Sequence, residues 1–134
     1  MEADVAKRLM DAHGACSAIG RFLDGKNLEE FAASELLRSA VERQFEIVGE
    51  ALGRASAQDP ALNDLIPEIP RIVGLRNRLI HGHDSVDDQL IWDIAQNKLP
   101  TLRRALEGRL MAAGMGTFKD MMTRDDLRKM RETD

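Results

Sequence analysis

The sequence predicts an all-α fold, a compact antiparallel bundle of four main helices with a short C-terminal helix. Three observations point there. Aromatic residues are only 4% of the chain, with one Trp and no Tyr, too few for an ordinary β-sandwich or barrel. The abundant Ala, Leu, Glu, Arg and Met are strong helix formers. Apolar residues recur at helical rather than alternating spacing over most of the chain. With 134 residues, 43% hydrophobic and 31% charged, the chain suits one hydrophobic core and is not compositionally disordered.

The first helix carries Val5, Leu9, Ala12, Cys16, Ile19 and Leu23 at steps of four and three, one stripe on one face. His13 falls in its polar stripe and reads as a surface residue. Gly25, in Asp24-Gly25-Lys26-Asn27, suits the helix end. Asn27 is the expected N-cap of a second helix, with Glu29 and Glu30 in its first turn and a stripe of Leu37, Val41, Phe45, Val48 and Leu52 running to about Arg54. A glycine inside that helix, Gly49, costs about 1 kcal/mol of helix propensity, so a close helix–helix contact is expected there.

Pro60, Pro67 and Pro70 exclude a long helix between 55 and 70, leaving room for one short turn at 61–65. A third helix is expected over 71–81, ended by Gly82. Asp84-Ser85 offers the next start, with Asp87 and Asp88 in the first turn. The fourth helix carries Leu90, Ile91, Ile94, Leu99, Leu102 and Leu106, with a kink or restart at Pro100. Trp92 reads as a core or interface anchor. After Leu110 glycines loosen the pattern, so the domain is drawn at 1–110. The tail, 111–134, is expected to hold a short helix at 118–131 that docks on the domain or on a partner.

The net charge is −4, which argues against binding nucleic acid through bulk charge. A lone cysteine suits a reducing cytoplasm. The acidic start Met1-Glu2-Ala3-Asp4 does not read as a signal peptide, and no apolar run is long enough to span a membrane.

Against that acidic background, residues 71–83 contain Arg71, Arg76, Arg78, His81 and His83 and no Asp or Glu. Asn77 and His81 are roughly 40° apart around a helix and share a face. Arg76 and His81 are roughly 140° apart; they converge only if the helix ends at His81 or if a two-fold mate completes the site. The chemistry of the set is coherent. Imidazole moves protons near neutral pH, guanidinium holds a phosphate and its developing charge, and an amide orients either. Together they suit RNA phosphodiester cleavage without metal. With three His, one Cys and no HExxH or CxxC, no cofactor or metal site is expected.

Three blocks resemble the HepT-like branch of the HEPN superfamily: AVERQFEIVGEA at 40–51, GLRNRLIH at 74–81, and Ile91-Trp92 with LPTL at 99–102, in matching order and spacing. The resemblance covers roughly residues 4–110. It implies a HEPN-like helical bundle forming a homodimer, and a metal-independent RNase toxin of a type II toxin–antitoxin pair, neutralised by a nucleotidyltransferase-fold antitoxin. It makes Arg76 and His81 catalytic with Asn77 in support, while Arg71, Arg78 and His83 would bind substrate. Two other readings stay open: a catalytically idle module holding RNA or nucleotide, and a structural partner of a nucleotidyltransferase. One departure is clear. The family signature often continues His-x-Tyr, the antitoxin's modification site, but here His83 takes that position and the chain has no tyrosine.

Overall fold

A computed structural model describes residues 1–82 and 86–114. They form seven helices and no strand: α1 (Ala3–Leu23), α2 (Leu28–Ala33), α3 (Glu35–Gln58), α4 (Leu62–Leu65), α5 (Glu68–His81), α6 (Asp88–Asn97) and α7 (Leu99–Ala112). The fold is all-α, as expected. The expected helix at 118–131 lies outside the described residues.

The α1 stripe is buried as its spacing predicts, with Leu9, Ala12 and Ile19 at 1% exposure or less. The helix ends at Asp24, and Gly25 takes the left-handed φ of +72° that a side chain would resist. Asn27 then caps α2 reciprocally. Its side chain accepts from the Glu30 amide at 2.8 Å, and Glu30 Oε1 accepts from the Asn27 amide at 3.2 Å.

The single helix expected from Asn27 to about Arg54 is in fact two. Ser34 is extended (φ −105°, ψ 105°), and its hydroxyl accepts from the Leu37 amide at 3.0 Å to start α3 afresh. The physical reason is Phe31. The break lets its ring reach zero exposure, 5.9 Å from the Trp92 ring, and burying an aromatic of that size outweighs a few lost helical bonds. Trp92, half-buried against Phe31, is the anchor anticipated.

α5 begins at Glu68, three residues before the expected start, because Pro70 fits a first turn whose amides have no intrahelical acceptor. Asp87, expected inside the first turn of the next helix, caps it instead, accepting from the Leu90 amide at 2.7 Å. The expected start at 84–85 lies outside the described residues. α7 restarts with Pro100 in its first turn.

Across the bundle the helices lie in the order α7, α1, α3, α5, with α6 against α7 and α2. Neighbours are antiparallel. Asp4 at the start of α1 accepts from Gln58 at the end of α3 at 2.6 Å, and Gly49 and Gly53 face Arg76 and Val73 in reverse order.

His13 corrects the reading of α1. It is 4% exposed, and its Nε2 lies 2.9 Å from Glu107 Oε1 on α7; Arg103 Nε is 3.4 Å from the same oxygen. α1 is covered on two sides, by α3 and by α7, so a position polar by the stripe is still interior.

Candidate functional site

The candidate site is built on α5. Ile69, Ile72, Leu75 and Leu79 are each 3% exposed or less and anchor the helix on the core. The opposite face carries Arg71, Asn77, Arg78 and His81, all exposed. At about 100° per residue, these four fall within roughly 120° of arc. Arg71 and Arg78 are two turns apart and nearly in line, and His81 sits roughly 60° from Arg78. Glu68, in the first turn, is the one acid on α5, about 20 Å along the axis from His81. The basic face therefore has no carboxylate of its own helix near its C-terminal end.

Arg76 is placed differently. It is half-buried at the seam between α5 and α3. The seam closes over Gly49, where an added Cβ would lie 2.3 Å from Arg76 Cβ, 2.8 Å from its Cγ and 3.2 Å from the Ile72 carbonyl oxygen. The close contact anticipated at Gly49 is thus present, and its partner is the candidate catalytic arginine. Sequence reasoning had no way to supply that pairing. From this seat the guanidinium turns along its own helix: Arg76 Nη1 donates to Asn77 Oδ1 at 3.3 Å, while the buried Nε has no acceptor among the described residues.

The structure therefore joins Arg76 to Asn77 directly, and Asn77 lies on the face that carries His81. Among the described residues no hydrogen bond joins Arg76 to His81. The helix continues to His81, and the Gly82 amide caps it by donating to the Arg78 carbonyl at 2.8 Å. The helix end alone therefore does not fold the two together. His83 lies outside the described residues.

A thiol nucleophile finds less support. Cys16 is 4% exposed, and burial pushes its thiol up to about 12, with Arg103 pulling weakly the other way. A thiol so held is not a nucleophile near neutral pH. Among the described residues no group of three His, Cys, Asp or Glu is placed to hold a metal ion. No helix among them is long and apolar enough to cross a membrane.

Comparison with known proteins converges on one family. The model described as Ribonuclease HepT-like matches residues 12–108. A candidate RNase of Methanocaldococcus jannaschii is 32% identical over 106 residues, covering 78% of this chain and 94% of that protein. A Thermococcus cleftensis protein named Probable ribonuclease HepT is 30% identical over 101 residues, covering 74% and 89% respectively. A third candidate RNase, from Caldanaerobacter subterraneus, is 26% identical over 92 residues, covering 69% and 81%. No solved structure matches the chain.

Proposed function

Because the chain belongs to the HepT-like ribonuclease family, we propose that it is a metal-independent RNA endonuclease, the toxin of a type II toxin–antitoxin pair in the cytoplasm, acting as a homodimer. The observation that supports this reading best is the Arg76–Asn77 hydrogen bond. It carries a half-buried guanidinium toward the exposed face of His81, Arg71 and Arg78.

The chemistry follows from those groups. His81 accepts the proton of a ribose 2′-hydroxyl as its oxygen attacks phosphorus. The P–O2′ bond forms, the P–O5′ bond breaks, and the 5′-oxygen takes a proton, leaving a cyclic phosphate and a 5′-hydroxyl. Arg76 holds the non-bridging oxygens as negative charge builds on them, through bonds worth more in the transition state than in the ground state. Its buried Nε gains an acceptor in doing so. Asn77 keeps the guanidinium aimed. Arg71, Arg78 and His83 take flanking phosphates.

The homodimer answers a geometric need. One α5 offers Arg76 and His81 at roughly 140° around its axis, whereas two such helices about a two-fold axis present each Arg opposite its mate's His. The second His81 would then supply the leaving-group proton. Ile80, 40% exposed beside His81, gives that face an apolar contact.

The antitoxin partner is a nucleotidyltransferase-fold protein that covers the basic face. Without any tyrosine in the chain, neutralisation works by masking rather than by tyrosine modification.

The test is RNA cleavage in the presence of a chelator by the parent, His81→Ala and Arg76→Ala proteins. Cleavage by the parent alone is expected. A His81→Ala protein that cuts as fast as the parent would remove the assigned chemistry. Salt-sensitive RNA binding without turnover would make the chain a binding module instead.

A further inference from the structure

We infer that Gly49 on α3 is a positioning residue for the Arg76 guanidinium, acting through the spacing of the α3–α5 seam. The inference rests on the ribonuclease reading above and adds a residue that touches no substrate.

Gly49 and Gly53 are one turn apart on α3 and both face α5. A Cβ at Gly53 would meet Val73 Cγ2 at 3.8 Å and Cγ1 at 4.0 Å, ordinary contact distances. A Cβ at Gly49 would meet Arg76 Cβ at 2.3 Å. The obstructing atom matters as much as the distance. A Cβ is fixed to its backbone, so no rotamer change relieves the clash, and the Ile72 carbonyl oxygen at 3.2 Å closes the other side. Carbon atoms settle about 3.5–4.0 Å apart, so a methyl at 49 must move α5 at Arg76 by about 1 Å or more. Glycine is a poor helix former, and around Gly14, Gly20, Gly74 and Gly108 an added Cβ would meet nothing within 4 Å.

What the seat accomplishes is to hold a long side chain at both ends. The stem of Arg76 lies against the α3 backbone, and its head is held by Asn77 Oδ1. A guanidinium so fixed meets the developing charge without first paying reorganisation. Misplacing a catalytic group by about 1 Å costs about 100-fold in rate. Arg71 and Arg78 lie on the far face of α5, so substrate affinity is carried by groups the seam does not touch.

The experiment compares Gly49→Ala with Gly53→Ala, the same change one turn away, alongside Arg76→Ala. Folding is read by circular dichroism and kcat and KM by cleavage of a defined RNA. Gly49→Ala is expected to fold and to lose about 100-fold in kcat, with KM close to that of the parent, while Gly53→Ala behaves as the parent. A folded Gly49→Ala protein with parental kcat, beside an inactive Arg76→Ala, overturns the positioning role and leaves the ribonuclease reading intact. An Arg76→Ala protein as active as the parent instead takes Arg76 out of the assigned chemistry, and a parent that cuts no RNA removes the ribonuclease reading itself. Should Gly49→Ala fail to fold, Gly53→Leu and the double variant Gly53→Leu/Val73→Ala decide. The single change wedges the seam and lowers kcat, and the double, which gives back two of the four added carbons at the Val73 contact, restores part of it. A folded Gly53→Leu protein with parental kcat overturns the inference.

Discussion

The contact between α1 and α7 makes a quantitative prediction at Glu107. Its Oε1 lies 2.9 Å from His13 Nε2 and 3.4 Å from Arg103 Nε, with side-chain exposures of 26% for Glu107, 5% for His13 and 41% for Arg103. Glu107→Ala removes one hydrogen bond, worth about 1 kcal/mol net, and leaves a buried imidazole nitrogen without its partner, a penalty of about 1–3 kcal/mol that includes that bond. The Arg103 pair is a half-exposed i,i+4 contact and adds only about 0.3–0.5 kcal/mol. The expected loss is therefore about 2 kcal/mol, near 8 °C in Tm for a chain of this size. Glu107→Gln keeps an acceptor oxygen for His13 and gives up mainly the ion pair, so its loss is about 0.5 kcal/mol. Urea unfolding followed at 222 nm measures both, and a double-mutant cycle with His13→Ala isolates the pair, with an expected coupling of about 1–2 kcal/mol. A coupling near zero, or equal losses for Ala and Gln, would refute the account of a buried hydrogen-bonded clasp.

Ser34→Ala removes the α3 cap and is expected to cost about 1 kcal/mol in urea unfolding, with the change in midpoint exceeding that of a Ser39→Ala control on the exposed side of α3. Cys16 predicts a pH effect. Burial holds its thiol at about 12 in the folded protein, above the ordinary value of 9.0, so the unfolded state releases the proton first. Stability is then full below pH 9 and falls toward pH 12 with a limiting slope of about 1.4 kcal/mol per pH unit from this group. Cys16→Ala should lose that component, and native protein at pH 8 should resist a thiol reagent until denatured. Arg71→Ala is expected to weaken RNA binding and lower the salt-dependence slope by about 0.7, with kcat retained; an unchanged slope would take Arg71 out of the phosphate contacts.

Much was legible in the linear order of residues. The α1 stripe, the Asn27 cap, the Pro100 restart and the polar, acid-poor face of 71–81 are all properties of a single helix or turn. Composition and spacing report those directly, because i, i+3 and i+4 neighbours meet whatever the rest of the chain does. The family signature at 74–81 was readable for the same reason: it is contiguous.

Only the tertiary structure decided the rest. Ser34 breaks what reads as one continuous helix because Phe31 has a buried place beside Trp92, sixty-one residues away in sequence. His13 is interior because α7 lies over it. Gly49 is a glycine because Arg76 crosses the α3 backbone there. Periodicity shows how one helix divides polar from apolar; it does not show which helix covers which face, since that is settled by packing between segments far apart in the chain.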